Sequence, residues 1–288
     1  MAAHSKKLTL IACLLFALGA AETAPAKRVV SLVPAVTEML FAIGAGPQVA
    51  AVSSYDDFPP DVAGLPRVGA LLDPDVERIL ALRPDLVISY GSQTSLQSQL
   101  ASARVPVFDY RHAGLEGIFD TLHRLGPAVG RRSEAERLIS DLRAQLGRVR
   151  TRVRGKARPR TLLVFGREPG SLRGLYVSGG RGFLHDMLEI AGGVDVFADV
   201  DRESVQPSQE TLLARAPEVI LEVRAKGLAG GADAPAQERR VWSRLFSISA
   251  VKSDRIHFLS GDYLVVPGPR VGRATEDFAR ALHPDAFQ

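Results

Sequence analysis

Short apolar runs alternate along this chain with stretches whose apolar residues recur every three or four positions. RVVSLV (28–33), QVAAV (48–52), DLVISY (85–90) and VPVFDY (105–110) read as strands. AVTEMLFAIG (35–44) and SLQSQLASA (95–103) read as helices between them. Such alternation predicts parallel α/β layering. One stretch then breaks the pattern. SEAERLISDLRAQLGRVRTRV (133–153) sets Leu138, Leu142, Leu146, Val149 and Val153 on a single helical face. Ser133 with Glu136 predicts a capping box at its start, and Gly155 and Pro159 predict its end. At 1.5 Å per residue the helix is about 30 Å long, enough to cross a domain.

After it the α/β pattern restarts. RTLLVFG (160–166) echoes RVVSLVP (28–34), and ETLLARAPEVIL (210–221) echoes ERILALRPDLVI (77–88), at nearly the same offset. GFLHDMLEIAGG (182–193), EVILEV (218–223), ERRVWSRLF (238–246), RIHFLS (255–260) and TEDFARAL (275–282) complete the second half. The expected architecture is two α/β lobes, 27–130 and 158–288, joined by one long helix within 131–157, with a ligand cleft between the lobes.

The first residues follow another logic. MAAHSKK is basic, LTLIACLLFALGA is apolar, and small residues follow in AAETAPA. That is the three-part build of a secretory leader, too short to span a membrane comfortably. It sets residues 1–26 aside from the fold and places the mature protein in the periplasm. The single cysteine, Cys13, lies inside the apolar run rather than at its end, so it reads as leader and not as a lipid anchor. The mature chain then has neither a disulfide framework nor a thiol nucleophile.

Net charge is +4, with a pI near 9.4. The basic residues cluster in GRVRTRVRGKARPR (147–160), which contains no aromatic residue. Nucleic-acid binding wants the two interleaved, so a solvated helix end is expected there and no nucleic-acid partner.

Signals for catalysis are absent. There is no G-x-S-x-G elbow. VSGGRG (177–182) lacks the Lys-Ser/Thr of a phosphate loop and reads as a plain turn or as an anion site at a helix start. His112, His123, His185, His257 and His283 make no metal-binding spacing. No enzyme, resident cofactor or metal is expected. The tyrosines are more informative: Tyr55, Tyr90, Tyr110, Tyr176 and Tyr263 all fall at strand ends or in the loops after strands. Ligands of α/β sheets bind beyond the carboxyl ends of strands, and aromatics there offer a flat surface with a polar tip. The echoed segments also share a glutamate. Asp75 and Ser208 are good helix N-caps, which puts Glu77 and Glu210 in matching first turns. The helix dipole favours an acid at either place, but does not explain the same register twice.

RVVSLVPAVTEMLFAIGAG, AVSSYDDFPPDV, VERILALRPDLVI, SGGRGFLHDMLEIAGGVDVFAD, QPSQETLLARAPEVIL and VPGPRV together resemble the periplasmic substrate-binding proteins of iron–siderophore, haem and vitamin B12 ABC importers, the B12 branch above all. The resemblance runs from about 28 to 282. It implies two lobes on a helical link, little motion on binding, and a cobalamin or other corrinoid-type chelate as ligand. It also implies a monomer that delivers this ligand to a dimeric permease. A ferric siderophore is the alternative, and haem is disfavoured because Ala70 follows Val68-Gly69 where haem binders carry an iron-ligating tyrosine. The positions matching the family's cleft are Tyr55 or Phe58, Tyr90, Phe165 with Tyr176 in the loop after it, and Asp262 with Tyr263. Two tryptophans of the B12 branch are replaced near Leu71 and Val205. Arg167, Arg173 and Arg181 are the cations available to an anionic chelate. Glu77 and Glu210 match the paired acids that dock on arginines of the permease.

Overall fold

The computed structural model describes residues 24–225 and 234–288. Most of the leader, with Cys13, lies outside them. In the first lobe β1 (Val29–Ser31), α1 (Pro34–Ala42), β2 (Val49–Val52), α2 (Val76–Ala81), β3 (Leu86–Tyr90), α3 (Thr94–Ser102), β4 (Val107–Tyr110) and α4 (Leu115–Ala128) succeed one another. The four strands form a parallel sheet in the order β2-β1-β3-β4. Ala26 already belongs to this lobe: it is buried, and its N–H donates to the Ala128 carbonyl at 2.8 Å. The folded part therefore begins inside the segment that the leader pattern sets aside.

The link is α5 (Arg132–Arg152), ended by Gly155 at φ +78°. Leu142, Leu146, Val149 and Val153 are buried and Leu138 is half-buried, as the single-face pattern requires. The capping box does not form. The helix starts two residues earlier than the box requires, after Gly130 turns the chain at φ +70°, which leaves Ser133 inside the first turn. Arg131 instead pairs with Glu134 at 3.5 Å.

The second lobe contains β5 (Arg160–Gly166), β6 (Tyr176–Ser178), α6 (Phe183–Ile190), β7 (Val194–Asp195), β8 (Ser204–Val205) and α7 (Gln209–Arg215). After these come β9 (Val219–Arg224), α8 (Ala234–Trp242), α9 (Ser249–Lys252), β10 (Ile256–Ser260) and α10 (Val271–Leu282). Its sheet runs β10-β9-β5-β6-β8, with β7 beside β5. The parallel trio β5-β9-β10 repeats β1-β3-β4 strand for strand. The repeat stops at the next strand, because β2 lies parallel to β1 whereas β6 runs antiparallel to β5.

Each sheet covers one face with its own lobe's side chains: Val30, Val87 and Leu96 in the first lobe, Leu162, Ile220 and Trp242 in the second. The other faces share one core. Met39 and Leu122 from the first lobe, Leu142 and Leu146 from α5, and Leu163, Met187 and Phe278 from the second belong to a single buried cluster. Apolar surface buried this way contributes about 25 cal/mol per Å². Separating the lobes would expose it, so the structure has a packed link where a hinge would otherwise be. Among the described residues no helix is long and apolar enough to cross a membrane.

Candidate functional site

At the candidate site, segments that follow β4, β6 and β10 come together around one hollow. The first-lobe rim rests on buried polar anchors. Asp56, almost wholly buried, accepts from the N–H of Ser53 at 2.8 Å and from its hydroxyl. Burial raises its carboxyl above the usual carboxylate range, against the hydrogen bonds from Ser53. Arg67 donates to the Ser53 and Asp56 carbonyls and so ties this loop to the strand-like segment beside β2. The Ser54 N–H then reaches the Gly69 carbonyl. Gly69 itself has φ +81°, and a Cβ there would lie 2.1 Å from the Asp73 carbonyl oxygen, so the turn admits only glycine. Gln93 closes the rim, accepting from the Tyr90 N–H at 3.0 Å and donating to the Leu71 carbonyl at 3.1 Å.

These anchors hold apolar groups out in solvent. Tyr55 is 74% exposed, Phe58 40%, Leu71 40% and Leu72 93%. Folding gains little from rings left in water, so such a cluster marks a contact surface. Tyr90 is half-buried, and its ring meets that of the buried Tyr110 edge-on at 5.8 Å. Across the gap, Phe165 near the end of β5 lies 6.3 Å from Tyr176, which is 42% exposed.

The lobes meet around a hollow of about 300 Å³. His112 enters from the first lobe, while Phe165, Arg181, Phe183, Glu203 and Val265 enter from the second. The His112 ring stands edge-on to Phe183 at 5.5 Å, and its Nε2 lies 3.7 Å from the Glu203 carboxylate. Next to it the N–H of Leu115, in the first turn of α4, donates to Asp186 of the other lobe at 2.8 Å. A Cβ on Gly114 would strike that carboxylate at 2.3 Å. This hollow is at the low end of small-molecule sites.

Five arginines near the cleft have acidic partners. Arg167, 2% exposed, pairs with Glu222 at 3.1 Å and with Glu238, so it is sealed into a buried cluster and not offered to a ligand. Arg224 pairs with the same two acids, and the Trp242 N–H donates to Glu222 at 2.9 Å. Arg173 pairs with Glu168 at 2.9 Å and Arg181 with Asp201 at 3.3 Å. Arg270 pairs with Glu38 and lies 4.0 Å from the Phe58 ring centre, where its cation supports the ring from below.

The remaining expected residues divide. Asp262 opens the short turn after β10 and is half-buried. Tyr263 commits its hydroxyl to Asp277 of α10 at 2.8 Å and stacks with Arg273, so it supports α10 and does not line the hollow. VSGGRG is a turn. Cβ atoms on Gly179 and Gly180 would lie 2.3 and 2.2 Å from the carbonyls of Arg202 and Ala198, so these glycines serve close backbone packing. His112, Phe183, Glu203 and Val265 are additions. His112 has a signal in sequence, its position just past β4, but Phe183 and Glu203 reach the hollow only through tertiary packing. Glu77 and Glu210 are both exposed, behind N-caps in which Asp75 accepts from the Arg78 N–H at 2.9 Å and Ser208 from the Thr211 N–H at 3.1 Å. No group of histidines and acids able to hold a metal ion occurs among the described residues.

A family model described as periplasmic binding protein matches residues 29–263. A vitamin B12-binding protein of Salmonella typhimurium is 32% identical over 259 residues, 89% of this chain and 90% of that protein. Among solved structures, the periplasmic vitamin B12 binding protein BtuF of Vibrio cholerae is similar with a TM-score of 0.75 at 27% identity, over 92% of this chain and 99% of that one. The periplasmic heme-binding protein RhuT of Roseiflexus sp. RS-1 has the same TM-score and identity, over 91% and 99%.

Proposed function

The chain belongs to the periplasmic binding protein family and is a substrate-binding protein of the ABC-importer class; we propose that its ligand is a cobalamin or a related corrinoid, delivered to a permease dimer. The observation that carries this reading is the charge matching of the cleft. Five arginines near it, Arg167, Arg173, Arg181, Arg224 and Arg270, are paired with acids, and Arg67 is spent on backbone carbonyls. A corrinoid is a broad ring edged with neutral amides and needs no uncommitted cation. A strongly anionic ferric chelate does, because its desolvated charge must be met by opposite charge. The exposed Tyr55, Phe58 and Tyr176 supply the flat apolar contact such a ring requires. Ala70 stands where a haem-binding relative would place its iron ligand, so haem is the weakest of the three readings.

A ferric siderophore is the second reading and rests on Arg181. This side chain is 61% exposed at the hollow, and its partner Asp201 is 85% exposed, so an anionic ligand can displace that pair at small cost. Glu77 and Glu210 are the proposed contacts to the permease. They occupy equivalent first turns before β3 and β9, and a two-fold symmetric partner offers two equivalent basic pockets.

Calorimetric titration of the purified protein with cyanocobalamin, dicyanocobinamide, a ferric hydroxamate and hemin tests the assignment. Saturable binding of the two corrinoids is expected. Binding of the hydroxamate with no heat from either corrinoid would overturn it in favour of the second reading.

A further inference from the structure

The basic run GRVRTRVRGKARPR takes no part in the cleft. It lies where α5 runs out and just before β5 begins, hence at the amino-terminal edge of the second sheet. The cleft and the first turns carrying Glu77 and Glu210 lie toward the carboxyl ends of the strands, on the opposite side.

Arg148 and Arg152 are one helical turn apart, with Arg150 between them in sequence and Arg154 just past the helix end. All four are exposed. Like charges at this spacing repel and weaken a helix. The dipole of α5 accounts for cations in its last turn, Arg150 and Arg152. It does not account for Arg154, Lys156 and Arg158 beyond the helix. Of the latter, Lys156 pairs with Asp285 at 2.6 Å and Arg158 with Glu189. Among the described residues no acid pairs with Arg148, Arg150 or Arg154.

These side chains do not simply radiate into solvent. Arg150, Arg154, Lys156 and Arg158 line one groove of about 360 Å³, with Ile190 of α6 on its far wall and Glu189 as its one acid. The groove is concave, is within the size of small-molecule sites, and holds two guanidinium groups with no partner. Their planar forks match the paired oxygens of a phosphate group.

We propose that this groove is a binding site for a phosphate-bearing anion, either the headgroup of an anionic phospholipid or a soluble phosphate. A bound phosphate would relieve the repulsion between Arg150 and Arg154 that the fold leaves in place. Because the site lies opposite the cleft and the paired glutamates, it can be occupied while a ligand is held. It depends on none of the assignments made for the cleft.

The test compares the protein with an Arg150→Glu/Arg154→Glu variant and with an Arg240→Glu/Arg244→Glu control, which makes the same charge change on exposed arginines elsewhere. The probes are phosphatidylcholine vesicles with and without phosphatidylglycerol, inorganic phosphate, and tripolyphosphate. At low salt the unaltered protein and the control bind at least one anionic probe, and the Arg150/Arg154 variant binds it at least tenfold more weakly. Cosedimentation with phosphatidylglycerol vesicles alone assigns a lipid headgroup, and a thermal shift with the soluble probes assigns free phosphate. Equal weakening of both variants would show a net-charge effect and overturn the proposal, as would absence of binding to every probe. If the Glu variant misfolds by circular dichroism, Arg150→Gln/Arg154→Gln replaces it with the same expectation.

Discussion

The carboxylate of Glu38 on α1 and the guanidinium of Arg270 at the entry to α10 form a two-pronged ion pair across the lobe boundary, at 2.8 and 2.5 Å. Glu38 is 4% exposed and Arg270 18%. Burial pushes the Glu38 carboxyl up, and Arg270 pulls it back down. A largely buried pair of this kind is costly to break, because the surviving charge loses its partner where little water reaches it. Glu38→Ala is expected to destabilise the protein by about 3–5 kcal/mol in urea unfolding, whereas Glu38→Leu with Arg270→Met comes much closer to neutral. A loss under 1 kcal/mol for the single variant would show the pair to be solvated in solution.

Arg270 also underlies Phe58, so the same residue joins the lobes and supports the rim. Tyr55 and Phe58 are exposed and have little part in the core. Replacing either with alanine is expected to leave the melting temperature within about 2 °C of the parent, since surface changes fall within about ±0.5 kcal/mol. Corrinoid affinity should fall about tenfold per ring, the ~1.4 kcal/mol expected of an aromatic contact. Calorimetry on the two variants reads both quantities, and unchanged affinity would remove these rings from the site.

Glu77 and Glu210 face water and cap nothing themselves, the caps being Asp75 and Ser208. The Glu77→Ala/Glu210→Ala variant should bind ligand as the parent does, and should lose stimulation of the cognate transporter's ATPase in proteoliposomes. A drop in ligand affinity instead would contradict the docking role.

His185 supplies a pH test of the second lobe. Its Nδ1 lies 3.3 Å from the buried Asp195, and that hydrogen bond raises its pKa above 6.5, with Glu189 and Asp186 adding to it against desolvation. A histidine whose pKa is raised by folding contributes stability that is complete below about pH 6.5, its unfolded value. The contribution is lost as pH climbs through the raised folded value. His185→Gln should therefore cost most stability at pH 6 and progressively less at higher pH, measured by urea unfolding across that range. A difference independent of pH would show that the imidazolium is not what Asp195 holds.

The strands ending at Tyr90, Tyr110 and Gly166, the long helix and the paired N-caps were legible in the sequence because each rests on local chemistry. Periodicity, N-cap residues and turn formers act within a few positions of one another. What the sequence did not show was of another kind. The Ser133/Glu136 box was overruled by the turn at Gly130, which starts α5 two residues early. That the Tyr263 hydroxyl is held by Asp277 of α10 is not readable from its place after β10. Arg167 looked available to an anion until β9 and α8 brought Glu222 and Glu238 against it.

The sequence by itself therefore determined two α/β lobes, one helical link and matching first turns at Glu77 and Glu210, since period and capping are properties of neighbours in the chain. The tertiary structure alone decided which charges are spent and which remain. Glu38 meets Arg270 from 232 positions away, His112 faces Glu203 across the hollow, and Arg150 and Arg154 are left unmatched at the far edge. An ion pair depends on distance in space and on exclusion of water, and neither is written in the order of residues.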